Sequence, residues 1–372
     1  MESTLLYHMV EPEALQSAYV EFNNCDFVVN VGQGRSLVKN SIRICGDVKI
    51  TSDGTAQTTG QIYWDFRIGA NSFIDSIQVS FGGPGGGIKE NIQNYGRWCE
   101  MTAIASLNED DYLNASQQVE LRAPNKLSVE RLADGEITIG TTPVNNPADF
   151  ALKPICILNK MVGDHLPFEK SGEIRLTLNL ARNQSALQGS AQGQLATYEL
   201  SNLRCHYQSV EHDENWASTD TKMRSVYNVK SSIQSGSANV QAQVPAVCDS
   251  VSCSFQRQNT ENVNVLSNYD CQQVQNISNV QFLWNSSTNQ YITYEMNDQN
   301  DMLHRYIDSF LQTGHNQVML DTFRGNAGFG LGIHFGEFTD LSRQNFSLQL
   351  KSSITNIYPY NVYMYFHSLI EV

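Results

Sequence analysis

The chain has 372 residues, a mass of 41.7 kDa and a formal net charge of −14 at pH 7, from 24 basic and 38 acidic side chains. A hydrophobic fraction of 41% excludes general disorder. The acidic balance argues against broad electrostatic binding to nucleic acid or to an anionic membrane. The sequence has no apolar run near the ~20 residues that a transmembrane helix needs. We therefore expect a soluble, acidic globular protein with chain enough for two or three domains.

The N-terminus lacks the basic and apolar segments of a signal peptide, which predicts synthesis in the cytoplasm. The eight cysteines are scattered singly, without the paired spacing of a zinc site. Cys205 and Cys253 each alternate with apolar neighbours along the chain. We expect free thiols that are buried in strands.

Apolar residues alternate with polar ones along much of the chain, as they do in half-buried β-strands. Segments with this pattern are 62–68, 77–81, 174–180, 240–244, 251–255, 280–284 and 291–294. The last two flank the hairpin-like turn 285–289. Many short strands between Gly, Asn and Ser turns predict antiparallel sandwiches rather than βαβ units.

Two helices are predicted between the strand groups. One runs from Asp301 to about Thr313, where apolar residues form a single stripe. Asp298 or Asn300 is its candidate N-cap, and Gly314 can end it. The other runs from Ile88 to about Leu107, with one apolar face.

The closing strands of the two halves follow the same order, which indicates a long-period duplication. In the first half, a regular strand at 172–178 precedes a long strand at 198–207. In the second half, 345–350 precedes 360–367. We predict two similar β-sandwiches in one chain. Their predicted organisation is an N-terminal extension at 1–20, a first sandwich at 21–211, a polar linker at 212–227 and a second sandwich at 228–372.

Two glycine-rich segments suggest backbone geometry rather than ligand binding. The run 82–87 lacks the Gly-Lys-Ser/Thr of a phosphate loop, because Ile88 precedes Lys89. We expect a flexible turn from a strand to a helix there. In the segment 325–336, glycines alternate with apolar residues, which predicts a strand that another backbone approaches closely.

The sequence contains no recognisable catalytic or metal-binding motif. Glu109, Asp110 and Asp111 are adjacent, which indicates a solvated acidic loop rather than the facing pair of a glycosidase. The histidines never have metal-ligand spacing, and we interpret His206 and His367 as ordinary strand residues. No Gly-x-Ser-x-Gly motif occurs. We predict that the protein is not an enzyme and has no catalytic, cofactor-binding or metal-binding residues.

Aromatic residues are dense between 358 and 366, but they have no basic neighbours of the kind that a nucleic-acid groove requires. We predict an edge or interface strand packed by aromatic side chains.

The paired closing segments carry a resemblance to a known family. They are 166–167, 172–178, 198–203, 346–350 and 360–365. In these segments the chain resembles the double jelly-roll major capsid proteins, a lineage that includes tailless internal-membrane phages, adenoviruses, virophages and polinton-like viruses. The resemblance implies an all-β fold of two consecutive eight-stranded jelly-roll β-sandwiches, with a few short helices between strands.

The implied function is structural. Family members form homotrimers, and the two jelly rolls of each subunit make a pseudo-hexameric capsomer that tiles an icosahedral shell. The implied partners are further copies of the chain, neighbouring capsomers and minor capsid or vertex proteins, without sequence-specific nucleic acid. The implied location is the virion.

Three alternatives remain open. A glycan- or receptor-binding β-sandwich would need an exposed aromatic platform near Asn and Asp side chains. A β-sandwich hydrolase would need convergent carboxylates or a metal. A vertex protein with a single jelly roll would need the second half to fold differently.

Overall fold

A computed structural model describes residues 4–52, 61–65, 67–84, 86–106, 120–122, 136–138, 148–189, 196–212, 221–261, 269–285, 291–310, 323, 328–342, 344–355 and 357–372. Strands dominate these residues, which confirms the predicted all-β class.

The secondary structure follows the chain in two groups of strands. The first group is β1 (Leu5–Val10), β2 (Asn24–Val29), β3 (Arg35–Val38), β4 (Arg43–Ser52), β5 (Gln61–Trp64), β6 (Ile74–Phe81), β7 (Gly87–Ile92), β8 (Glu136–Thr138), β9 (Ala148–Leu152), β10 (His165–Pro167), β11 (Ile174–Leu180), β12 (Leu187–Gly189) and β13 (Ala196–Glu211). The second group is β14 (Lys222–Ile233), β15 (Ser237–Ala242), β16 (Val247–Arg257), β17 (Ile277–Asn285), β18 (Tyr291–Met296), β19 (Gly330–Asp340), β20 (Phe346–Ser352) and β21 (Tyr360–Glu371). The α-helices are α1 (Tyr95–Ser106), α2 (Phe168–Ser171), α3 (Asn183–Ala186) and α4 (Gln299–Asp308), and 3-10 turns cover Gly69–Phe73, Ile157–Asn159 and Gln258–Thr260.

The first sandwich packs two sheets face to face. One has the order β10-β3-β13-β4-β9, and β1 also pairs with β13. The other contributes β7-β6-β11-β2, while β12-β5-β8 form a small separate sheet. Strand β11 turns Ile174, Leu176 and Leu178 inward and the residues between them outward. This alternation is the one that the sequence predicts.

The second sandwich has two sheets of four strands among the described residues, in the orders β19-β16-β21-β14 and β15-β20-β17-β18. Aromatic residues fill the space between them, and the rings of Phe346 and Phe366 meet edge to face at 5.0 Å. Strands β17 and β18 pair antiparallel up to Asn285 and Tyr291, which confirms the predicted hairpin. Its turn lies outside the described residues.

The two sandwiches share a sheet. Strand β7 of the first and β14 of the second meet in parallel, at the pair Asn91 and Tyr227. An eight-stranded sheet, β19-β16-β21-β14-β7-β6-β11-β2, therefore runs through both sandwiches. The buried apolar residues of the two halves form one connected core.

Helix α4 confirms the predicted second-half helix, but it ends at Asp308, with Ser309 as its C-cap, rather than near Thr313. The Asp298 side chain accepts hydrogen bonds from the backbone N–H groups of Asn300 and Asp301, so Asp298 is the N-cap. Gly314 lies outside the described residues.

The predicted helix from Ile88 is wrong over its first turns. Residues 87–92 form strand β7, which pairs with β6, and helix α1 begins only at Tyr95. The apolar residues Ile88 and Ile92 are four positions apart, a spacing that suits both a helix face and one side of a strand. Antiparallel pairing with β6 makes residues 87–92 a strand rather than a helix.

The predicted strand 62–68 is too long. Strand β5 ends at Trp64, because the Asp65 side chain accepts hydrogen bonds from the N–H groups of Arg67 at 2.9 Å and Ile68 at 3.4 Å. Such a local bond from an aspartate closes a turn and competes with strand pairing.

Both glycine-rich segments differ in detail from expectation. The run 82–87 connects two strands, β6 and β7, rather than a strand and a helix. Strand β19 confirms the second segment as a strand, but helix side chains rather than a backbone approach most closely. A Cβ on Gly330 would lie 2.2 Å from the Tyr306 ring, and one on Gly332 would lie 2.4 Å from the Ser309 hydroxyl.

Two strands enter the segments predicted to flank the sandwiches. Strand β1 lies within 1–20 and is paired with β13, and β14 begins at Lys222 within 212–227. The division of the chain into domains at the predicted positions stays a prediction.

Candidate functional site

Helix α1 lies where the two sandwiches meet, and Trp98 is at its centre. The indole is fully buried. It contacts three rings of the second half, with centroid distances of 6.3 Å to Phe310, 5.3 Å to Tyr365 and 5.4 Å to His367. The Lys160 ammonium lies 4.4 Å from the indole, within the range of a cation–π interaction.

A buried acid–base pair, Glu90 and Lys160 of the first sandwich, lies beside the same junction. The Glu90 carboxylate on β7 accepts hydrogen bonds from the N–H of Ile157 at 2.6 Å and from the N–H of Val226, on β14, at 3.1 Å. Burial raises the pKa of Glu90 and lowers that of Lys160, and the attraction between their opposite charges opposes both shifts. Glu90 thereby links the first sandwich to a strand of the second.

Arg97 makes a second link from α1 to the second half. Its guanidinium donates to the backbone oxygen of Asp270 at 3.0 Å and to the side-chain oxygen of Gln256 at 2.7 Å. The same group lies 4.5 Å from the centroid of the Tyr363 ring. A buried arginine with this many partners holds α1 in a defined position against the second half, because its hydrogen bonds are directional and apolar contacts are not.

Three carboxylates converge beside Arg97 on a further arginine. We call Asp65, Arg67, Glu100 and Asp270 the junction cluster. Arg67 Nε lies 2.6 Å from Glu100 Oε1, and Arg67 Nη2 lies 2.5 Å from Asp270 Oδ1. Ligand oxygens of the three carboxylates all lie within 4.8 Å of one another.

The junction cluster is withdrawn from solvent. Asp65 is 3% exposed and Glu100 is 0% exposed, while the side chain of Asp270 is 17% exposed. Burial raises the pKa of Glu100 well above its usual range and also raises that of Asp270, and the charge of Arg67 opposes both effects. A substrate in solution could not contact Glu100, so the convergence does not favour the hydrolase alternative.

The sequence analysis missed this cluster because its members come from separate parts of the chain. Asp65 follows β5, Glu100 is in α1, and Asp270 follows a segment outside the described residues. Spacing along the sequence carries no signal for such a site. The acidic run 109–111, which the sequence did single out, lies outside the described residues.

The other sequence candidates have structural roles. The N–H groups of Gly82 and Gly83 donate to the backbone oxygens of Glu173 and Ser171, at 2.8 and 2.9 Å, rather than pointing together at an open site. His206 is half-buried in β13, and His367 is buried in β21, where it forms a 2.9 Å hydrogen bond with Ser252. Cysteines 205 and 253 are free and buried in strands, as predicted.

The aromatic C-terminal segment is not an edge strand, so the edge alternative in the prediction of an edge or interface strand is wrong. Strand β21 pairs with β14 on one side and with β16 on the other. Its aromatic side chains occupy both faces because both faces are covered. Tyr360, Tyr363, Tyr365 and Phe366 are buried and form no exposed platform for a glycan.

A polar groove of about 750 Å³ crosses the outer face of the sheet β15-β20-β17-β18. Its lining includes Asn239, Asn279, Gln281, Gln349 and Glu295. Within this lining, the Asn279 amide donates a hydrogen bond to the Glu295 carboxylate at 2.6 Å. In the described part of the chain, no helix has both the length and the apolar character to cross a bilayer.

The architecture is similar to that of solved viral major capsid proteins. The Faustovirus major capsid protein matches with a TM-score of 0.66 and 6% identity, over 100% of this chain and 90% of that one. PBCV-1 VP54, fitted into a reconstruction of the virophage Sputnik, matches with a TM-score of 0.60 and 10% identity, over 100% and 95%. The fold is the double jelly roll.

The mavirus major capsid protein has the same double jelly roll, with a TM-score of 0.52 and 8% identity, over 98% of this chain and 90% of that one. No protein-family model matches the sequence, and neither does any curated protein. The likeness therefore lies in the arrangement of strands. A complete double jelly roll also argues against the alternative of a single jelly roll.

Proposed function

We propose that this chain is a viral major capsid protein with a structural rather than an enzymatic role. One observation carries the proposal: two jelly rolls stand side by side on a shared sheet, and this arrangement matches solved major capsid proteins over at least 98% of the chain. The buried state of the convergent carboxylates supports the absence of catalysis.

The assembled unit that we propose is a homotrimer. Three chains with two sandwiches each would present six similar lobes. Identical head-to-tail contacts between three subunits can close into a ring, in which every subunit has both of its contact surfaces covered. Such a pseudo-hexameric capsomer would then contact neighbouring capsomers and minor capsid or vertex proteins in the virion. The net charge of −14 argues against broad electrostatic contact with nucleic acid, and the shell that we propose makes no sequence-specific contact either.

Strand β1 is our candidate for a contact between subunits. It pairs with β13, and apolar side chains along it face solvent. Leu5 is 44% exposed, Tyr7 76% and Met9 52%. Exposed apolar side chains grouped on one strand are typical of a surface that another protein covers.

Light scattering on the purified full chain tests the proposal. We expect a stable particle of about three times 41.7 kDa, with a six-sided outline in negative-stain images. A monomer that persists at high protein concentration would contradict the capsomer.

A pair of variants then tests the role of β1. Tyr7→Lys should lower the trimer fraction at micromolar concentration, because a charge cannot be buried in an apolar contact without cost. Tyr358→Lys, at a tyrosine that is 46% exposed in the second half, is the matched control and should leave the trimer intact. If both variants remain trimeric, the contact lies elsewhere and the capsomer stands.

A further inference from the structure

We propose that a pocket at the start of helix α1 binds a small anion of the size of chloride. The pocket has a volume of about 50 Å³ and lies where α1 meets strands of the second half. Its lining includes Gly96 and Arg97 of α1 together with Gln256 of β16 and Tyr363 of β21. This inference does not depend on the proposed capsid function.

The first turn of α1 brings backbone donors to this pocket. The N–H groups of Arg97 and Trp98 donate to the backbone oxygen of Asn94, at 3.1 and 3.3 Å. The N–H groups of Tyr95 and Gly96 lie before them and have no acceptor within the helix. The first turn also contains no acidic side chain that could complement the helix dipole. Anions are stabilised at such an end, because the unpaired N–H groups and the dipole both supply positive partial charge.

A buried amide without a partner provides the second and independent reason. Gln256 lines the same pocket and is 1% exposed. Its Oε1 accepts hydrogen bonds from the Arg97 guanidinium at 2.7 Å and from the Tyr363 hydroxyl at 3.4 Å, which identifies Nε2 as the donor end of the amide. Nε2 has no hydrogen-bond partner among the described residues. Buried donors without a partner are rare, and a bound ion or water is one recognised explanation.

The size of the pocket restricts the ligand. One water needs about 10–15 Å³ of such a cavity, so a volume of about 50 Å³ has room for only a few water-sized atoms. Chloride or a short carboxylate fits, whereas a sugar or a nucleotide does not. The Tyr269 ring forms one wall, and a Cβ on Gly96 would lie 2.4 Å from that ring. The glycine therefore leaves the N–H groups of the first turn uncovered.

The charged side chains around the pocket have opposing effects on an anion. Arg97 is buried, so solvent screens its positive charge weakly. Glu261 also lines the pocket, but its carboxylate is ion-paired with Lys230 at 2.7 Å and accepts a hydrogen bond from Tyr363 at 3.2 Å. Asp75 is exposed at the pocket, and its carboxylate would repel an anion. We therefore expect Asp75 to lower the affinity without abolishing binding.

An anion at this position would join the two halves of the molecule. It would accept hydrogen bonds from α1 of the first half and from Gln256 of the second. Because it binds the folded state alone, it would stabilise the protein in proportion to the logarithm of its free concentration once the site is mostly filled.

Thermal unfolding and anomalous diffraction test the proposal on the full chain. We expect Tm to be higher in sodium chloride than in sodium gluconate at equal ionic strength, because gluconate is too large for the pocket. Bromide should act as chloride does. In crystals grown with bromide, we expect an anomalous peak in the pocket within hydrogen-bond distance of Gln256 Nε2.

Gln256→Glu should weaken chloride binding by about tenfold or more, since it keeps the oxygen that Arg97 binds and replaces the donor Nε2 by an acceptor. The matched control is Gln349→Glu, the same change on the outer face of the sheet β15-β20-β17-β18, which should retain the chloride response. Asp75→Asn should tighten chloride binding, because it removes the repelling charge.

Two results would overturn the proposal and leave the capsid assignment untouched. One is equal Tm in chloride and gluconate for the natural chain and for Asp75→Asn. The other is a pocket that holds water but no bromide. If Gln256→Glu does not fold, the exposed Asp75→Asn variant and the bromide peak decide.

Discussion

The interior of each sandwich and the junction between the sandwiches are both buried, but they are built from different chemistry. Inside the second sandwich, rings such as those of Phe282 and Phe346 pack at 5.9 Å. At the junction, Glu90, Arg97 and Glu100 are buried among backbone groups and opposite charges. Apolar burial is strong but has no preferred direction. Charged hydrogen bonds have strict geometry, so we infer that they set how the two sandwiches meet.

The largest expected effect comes from removing a junction charge. Arg97→Ala should lower the free energy of unfolding by about 3–5 kcal/mol, because two oxygens at the junction lose a charged donor and the shortened side chain leaves a cavity. The control is Arg175→Ala, whose exposed ion pair with Glu13 should contribute less than about 1 kcal/mol. Urea unfolding measures both. Equal losses of unfolding free energy in the two variants would mean that the buried junction charge stabilises the fold no more than an exposed ion pair does.

A smaller effect tests packing inside the second sandwich. Gly330→Ala would place a methyl group 2.2 Å from the Tyr306 ring, and we expect a loss of about 1–3 kcal/mol from overpacking. Gly163→Ala is the control, since a Cβ there meets nothing within 4 Å. Replacing Tyr306 by Leu in the Gly330→Ala background should recover part of the loss in a double-mutant cycle. Additive losses would rule out this contact as the cause.

The third prediction concerns pH. Burial, with smaller contributions from Lys160 and Arg224, lowers the pKa of His367 from 6.5 to about 3. The unfolded chain therefore binds a proton that the folded chain does not, so stability is lost as pH falls below 6.5 and towards 3. At pH 5 the loss from this residue should be about 2 kcal/mol.

His367→Gln provides the measurement, because glutamine does not titrate. The difference in unfolding free energy between pH 7 and pH 5 should be smaller in the variant than in the natural chain. Glu90 titrates in both proteins, and its contribution cancels in the comparison. Identical pH dependence in the two proteins would contradict a buried neutral histidine.

The sequence predicted the sandwiches better than the junction, for a physical reason. Strands such as β11 alternate between core and solvent, and that period of two is visible in a single sequence. The parallel pairing of Asn91 with Tyr227 produces no periodic pattern in the sequence around either residue. The junction cluster likewise depends on residues that only the complete fold brings together. Strand β21 was misplaced at an edge because aromatic density does not distinguish a covered strand from an exposed one.

The shared sheet also has a mechanical consequence. Strands β7 and β14 are joined by one backbone residue pair and by the hydrogen bond from the Val226 N–H to the Glu90 carboxylate, whereas β14 pairs with β21 along its whole length from Lys222 to Ile233. A tensile load across the sheet would therefore meet fewer backbone hydrogen bonds between β7 and β14 than between the strands within either sandwich.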